Sequence, residues 1–226
     1  MTKVIGFAGK MASGKDYTAE LVMNQLREKS VVYHTTYAKA LREELDQIIG
    51  MIKAGVSDQV IADEMTITTK QAAKVRSICE SDPNWNQLFY SSKGRTDNVR
   101  QLLQYFGTDV RRAQNPNYWV DKVKEEIELA IEFSADYVFV TDVRFPNEAD
   151  LIKKDFKGKL IKCVAAEELR QERIAERNVK VNQSELTHRS ENSLETYEGF
   201  HLIVDTGSTN EVDKFASMIQ IFSTIE

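Results

Sequence analysis

Cysteine, histidine and proline are scarce in this chain: of 226 residues, two are Cys, three His and three Pro. Cys79 and Cys163 stand far apart and in no metal-like spacing. A disulfide framework and a zinc site are therefore not expected, and a reducing, cytoplasmic setting is. His34, His188 and His201 are equally scattered, which argues against a bound transition metal. No apolar run has the length of a membrane helix. Met1 leads into Val4-Ile5-Gly6 without a charged leader, so no secretory signal is expected. An excess of positive charge is missing as well. The net charge is −5, which argues against broad binding to a nucleic-acid backbone but permits a local basic cleft for a small anion.

What is present is ordinary for a globular protein, with 42% hydrophobic and 29% charged residues. The length fits one domain with its own core, or one core with insertions. Short apolar runs at 2–8, 31–35, 137–140, 160–164 and 202–204 have strand character. Helical spacing recurs at 16–28, 38–49, 57–80, 98–112 and 118–133. Continuous apolar strands that alternate with helices predict an α/β fold with a parallel sheet covered on both faces. Residues 81–96 collect Asp, Pro, Asn, Ser and Gly and are expected as an exposed loop.

The strongest chemical signal is Gly9-Lys10-Met11-Ala12-Ser13-Gly14-Lys15, which directly follows a strand and opens a helix. Glycines let the backbone curl so that successive N–H groups face a phosphate, and the helix N-terminus adds partial positive charge. Lys15 then reaches the outer phosphate oxygens as a point charge. This is the P-loop pattern, with one departure: Asp16 stands where Ser or Thr normally meets Mg²⁺. A carboxylate beside a triphosphate is tolerable with a cation between them, and Mg²⁺ accepts carboxylate oxygens. The other reading of Asp16 is a favourable charge at a helix N-terminus.

The strand at 137–140 runs into Thr141-Asp142-Val143-Arg144. Ligands of open parallel sheets sit at the carboxyl ends of strands, so Asp142 is expected to orient Mg²⁺ or its waters and Arg144 to bind an acceptor phosphate. Arg100 and Arg111 are eleven positions apart and would share a face of one continuous helix beside Arg112. Arg170, Arg173 and Arg177 recur at spacings of three and four before a polar stretch. That pattern suits a closing lid, or equally an exposed helix paired with Glu167, Glu172 and Glu176.

Several segments together resemble the phage-type deoxynucleoside monophosphate kinases of the P-loop nucleoside monophosphate kinase superfamily. They are residues 9–16 with the Asp, residues 37–42, residues 100–109 with Arg112 and Trp119, Thr141-Asp142-Val143-Arg144-Phe145-Pro146-Asn147-Glu148, and His188-Arg189-Ser190-Glu191. The resemblance spans most of the chain except residues 57–95. It implies a P-loop kinase using ATP and Mg²⁺ to phosphorylate a deoxynucleoside monophosphate, with Asp16 and Asp142 near the metal. Lys15, Arg144, Arg170 and Arg173 would act on the transferring group. Gly9, Lys10, Ala12, Ser13, Gly14, Asp16, Tyr17, Arg177 and Gly207 would join Lys15 around ATP, and the loop at 205–210 would lie near adenine. Lys39, Arg42, Arg100, Gly107, Thr108, Asp109, Arg112, Trp119, Arg144 and Glu148 would form the acceptor side, although Arg42 replaces the Lys of the family pattern. The implied division is a core of 1–36, 134–166 and 200–226, a helical acceptor region of 37–133 and a lid of 167–199.

Two alternatives stay open at this point. Animal phosphomevalonate kinases resemble the same P-loop, Asp included. Residues 61–73 also have the apolar positions of a helix-turn-helix, although acid and base balance there. That stretch is expected as a helical insertion over the acceptor site or as a subunit contact, and a homodimer is left open.

Overall fold

The computed structural model describes residues 1–81, 97–176 and 188–208, without the side chains of residues 97, 98 and 100. Five parallel strands form one sheet in the order β2-β3-β1-β4-β5. They are β1 (Lys3–Ala8), β2 (Val32–Thr35), β3 (Tyr137–Val143), β4 (Lys159–Val164) and β5 (Leu202–Asp205). β1 and β3 are buried along almost their whole length, as a strand covered on both faces must be. The α/β fold with a parallel sheet expected from the sequence is the fold observed.

Helix α1 (Lys15–Arg27) follows β1 and buries Ala19, Val22, Met23 and Leu26 against Ile5, Phe7, Phe139 and Ile161. A larger core on the other side gathers α2 (Tyr37–Lys53), α3 (Asp58–Met65), α4 (Thr69–Glu80), α5 (Asp97–Gln104) and α6 (Tyr118–Glu132). The helical stretch expected at 57–80 is two helices, in keeping with the helix-turn-helix pattern of residues 61–73: Thr66 adopts a left-handed conformation (φ 52°) and Thr68 starts α4 with a capping box. Ile61, Ala62, Met65, Ala72, Val75, Ile78 and Cys79 face the core.

The continuous α-helix expected over 98–112 does not form. After Gln104 the chain continues as a π-helix over Tyr105–Arg112, in which each residue turns by less than in an α-helix. The eleven-residue recurrence that would align Arg100 with Arg111 is therefore lost. Arg111 instead points into the core, where its guanidinium binds Glu44 at 2.8 Å and the Tyr118 hydroxyl donates to the same carboxylate. It is 4% exposed and has no part in an anion cleft.

Strand order creates the site. Because β1 and β3 are neighbours, Ala8 is in register with Val143. The loop that follows β1 thus lies beside Asp142 and Arg144 at the end of β3, and β2 on the far side of β3 delivers the start of α2. Helix α7 (Pro146–Asp150) continues as a π-turn over Leu151–Asp155, followed by α8 (Glu167–Glu176) and the short α9 (Arg189–Asn192). All but the first residue of the loop expected over 81–96, Arg177 with residues 178–187 of the polar stretch, and the end of the 205–210 loop lie outside the described residues.

Candidate active site

A cavity of about 750 Å³ opens at the carboxyl edge of the sheet. One wall is the loop after β1. Gly9 (φ 154°), Ala12 (φ 59°) and Gly14 (φ 80°) give it its curl. Gly14 has space for no side chain, because a Cβ there would lie 2.8 Å from the Thr206 hydroxyl. Lys15, the first residue of α1, is buried and its Nζ donates to Asp16 Oδ1 at 2.7 Å. Burial pushes the Lys15 amine below its usual range, and the Arg144 guanidinium adds to this, while the Asp16 carboxylate pulls the other way. Asp16 itself is exposed and lines the cavity.

Asp142 lines the cavity and also caps a helix. Its Oδ1 accepts from the Tyr37 N–H at 2.7 Å and its Oδ2 from the Ala38 N–H at 2.8 Å. The carboxylate caps α2 from another strand, satisfying two of the orphan donors at that helix start. Each oxygen keeps a second lone pair, and Asp142 lines the cavity together with Asp16.

Arg144 is three-quarters buried and binds Glu191 at 2.5 Å. The other Glu191 oxygen accepts from the Met11 N–H at 2.8 Å, tying α9, β3 and the loop together. Glu148 is 1% exposed. It accepts from the N–H groups of Arg144 (2.6 Å) and Phe145 (3.0 Å) and pairs with Arg112. Burial raises its carboxyl to about 7, against the pull of Arg112. The Arg112 guanidinium lies 4.1 Å from the centroid of the Phe145 ring, a cation–π distance. Trp119 also lines the cavity and donates its indole N–H to the Gly107 carbonyl at 2.9 Å. Arg42 reaches the same cavity from α2, and its charge also acts on Asp46 one turn further on.

Of the residues expected around substrates, Ala12, Lys15, Asp16, Arg42, Gly107, Thr108, Arg112, Trp119, Asp142, Arg144 and Glu148 line this one cavity. Others are placed elsewhere. Lys39 is exposed and binds Glu126 at 3.1 Å. It sits about 100° around α2 from Ala38, while Ala38, Leu41 and Arg42 form the cavity face. Asp109 and Tyr17 are exposed away from the cavity, and Lys10 pairs with Glu195 on the outer side of the loop. Gly207 is exposed after β5 and donates its N–H to Asp205 at 2.9 Å. Arg170 and Arg173 do not reach the cavity; both bind the loop from behind, through the carbonyls of Met11 and Ala12. The side chain of Arg100 lies outside what is described. Cavity residues given no role from the sequence include His34, whose Nε2 meets the Thr141 hydroxyl at 2.9 Å, and Ile174, while Glu191 and Gln104 lay in resembling segments without an assigned role. His34 closes a strand and carried no motif; only the place of that strand beside β3 could reveal it.

A parallel sheet with a glycine-bent anion loop after its central strand, a buried lysine opening the next helix and arginines across one cavity defines a P-loop phosphotransferase. The model of the deoxynucleotide monophosphate kinase family matches residues 51–200, and the chain belongs to that family. It is 24% identical over 205 residues to the deoxynucleoside-5'-monophosphate kinase of Escherichia phage T5, an alignment covering 74% of this chain and 80% of that protein. Among solved structures it resembles TT1252 from Thermus thermophilus (TM-score 0.50, 17% identity, 100% and 99% of the two chains). It also resembles an unliganded sugar kinase from Janibacter sp. HTCC2649 (TM-score 0.52, 11% identity, 100% of both chains). At those identities the likeness is one of fold. The family match includes residues 57–80, where inspection of the sequence found no resemblance.

Proposed function

We propose that the chain transfers the γ-phosphoryl group of ATP to the 5'-phosphate of a deoxynucleoside monophosphate. One observation carries this reading: the phosphate loop with Lys15 and the arginines Arg42, Arg112 and Arg144 line a single cavity, so two phosphorylated ligands can meet in it. The acceptor phosphate is largely ionised near neutral pH, and its oxygen attacks without a general base. The work left to the protein is alignment and charge neutralisation. Lys15 and the loop N–H groups hold the ATP tail. Arg144, held by Glu191, and Arg112, held by Glu148, aim at the acceptor phosphate, with Arg42 as a further cation on the cavity wall. Trp119 and Phe145 offer apolar surface for the nucleoside.

Mg²⁺ fits the donors present. Asp16 is an exposed hard-oxygen ligand beside Lys15 on the cavity wall, and Mg²⁺ commonly takes one or two carboxylates together with substrate phosphates. When bound it would neutralise charge on the transferring phosphates, held by Asp16 with Asp142 behind it. Nucleotides of the cytoplasm are the natural partners. Residues 57–80 do not line the cavity, so they are not the expected insertion over the acceptor site; they bury their apolar face in the core, and a gel-shift in low salt tests the helix-turn-helix alternative.

An ADP-release assay across deoxynucleoside monophosphates, their ribose counterparts and phosphomevalonate tests the reading. Turnover with at least one deoxynucleoside monophosphate is expected, and Lys15→Ala should abolish it without unfolding the chain. Turnover with phosphomevalonate alone, or a Lys15→Ala protein with normal kinetics, would sink the proposal.

A further inference from the structure

Three consecutive carbonyls of the phosphate loop are each taken by a side chain from outside it. Arg170 Nε donates to Met11 O at 2.8 Å, Arg173 Nη1 to Ala12 O at 3.2 Å and the Thr206 hydroxyl to Ser13 O at 2.8 Å. Arg173 is also fixed to Thr206, through Oγ1 at 3.0 Å and the main-chain carbonyl at 2.7 Å. Arg170 is held in turn by Glu167 at 2.5 Å. Arg170 and Thr206 are buried, and none of the three donors lines the cavity.

A trans peptide is planar, with its C=O and N–H pointing in opposite directions. Turning the Met11 and Ser13 carbonyls outward therefore turns the Ala12 and Gly14 N–H groups to the inner side of the loop. The middle residue of the set, Ala12, holds a left-handed φ of 59°, a conformation that a residue with a Cβ keeps only where its surroundings enforce it.

Resting on the phosphate-loop reading above, we propose that Arg170, Arg173 and Thr206 are positioning residues. They hold the loop open for a triphosphate by fixing its carbonyls, and they do not contact the transferring phosphoryl group. The lid role expected for the two arginines requires them to reach the reacting phosphates. In the clamp role their charge acts one peptide away, on the affinity of the loop for ATP and ADP.

Calorimetric titration of the full chain with ATP distinguishes the two, with Thr206→Val, Thr206→Ser, Arg173→Ala and Arg173→Lys as variants. Thr206→Val keeps the shape and leaves Ser13 O without its donor, so ATP should bind about tenfold more weakly. Thr206→Ser, which keeps the hydroxyl, should restore most of that loss. Arg173→Ala should weaken ATP similarly, with Arg173→Lys in between, and should raise the KM for ATP more than it lowers kcat. Acceptor binding measured without ATP should not move, which a general loss of structure could not produce. Unchanged ATP affinity in both Thr206→Val and Arg173→Ala overturns the clamp, as does a fall in kcat of a hundredfold at unchanged ATP affinity. Calorimetry needs no turnover. A wild-type protein that binds ATP yet phosphorylates no nucleotide thus defeats the functional reading, and the clamp is still decided by its own variants.

Discussion

Replacing Arg111 with Met tests the point at which helix geometry overrules helix periodicity. Arg111 and Glu44 form a pair whose side chains are 5% and 11% exposed, with the Tyr118 hydroxyl as the other donor to the carboxylate. In the Arg111→Met protein Glu44 keeps Tyr118 but loses two guanidinium N–H groups in a buried setting. Breaking a buried pair from one side costs about 3–5 kcal/mol, and the remaining hydroxyl puts the expectation near the lower end, at about 3 kcal/mol. For a chain of this length that corresponds to roughly 6–12 °C in Tm. Replacing both partners, as in Glu44→Leu with Arg111→Met, removes the stranded charge and should recover most of the loss. Thermal unfolding followed by circular dichroism gives the stability, and steady-state kinetics give the acceptor KM, which should hold in every folded variant. An Arg111→Met protein that melts like the wild type and shows a tenfold higher acceptor KM would refute the reasoning and return Arg111 to the anion cleft.

Two further expectations concern protons and metal. Glu148 has a carboxyl raised from 4.5 to about 7 by burial. Its protonated form is favoured in the folded state, so its contribution to stability is complete below about pH 4.5 and is lost as the pH rises through 7. The stability of the wild type relative to Glu148→Gln should therefore fall by up to about 3 kcal/mol between pH 4.5 and 8, read from urea unfolding across that range; a flat difference contradicts it. Asp16→Asn removes the exposed carboxylate beside Lys15 and should raise the Mg²⁺ concentration for half-maximal turnover about tenfold. An unchanged Mg²⁺ dependence would leave Asp16 only its charge at the helix N-terminus.

The amino-acid sequence alone determined the class of fold and the phosphate loop, because both rest on local rules. Apolar runs of strand length between amphipathic helices specify a covered parallel sheet, and Gly9 to Lys15 specifies a strand, a curl and a helix start without reference to anything distant. The run from Asp142 to Glu148 and the segment around Glu191 were visible as resemblance. Their working arrangement was not: Glu191 bridging the Met11 N–H and Arg144 joins residues 180 positions apart. Tertiary structure decided the roles of the charged residues. A π-helical stretch turned Arg111 into the core, the phase of α2 sent Lys39 to Glu126 and kept Arg42 at the cavity, and Asp142 became a cap for a helix begun more than a hundred residues earlier. Arg170 and Arg173 have the spacing of an exposed helix face, yet they grip the loop from behind. The physical reason is common to all of these. Periodicity says which residues share a face, but the partner that a charge finds there depends on which distant strand or loop the sheet order sets beside it.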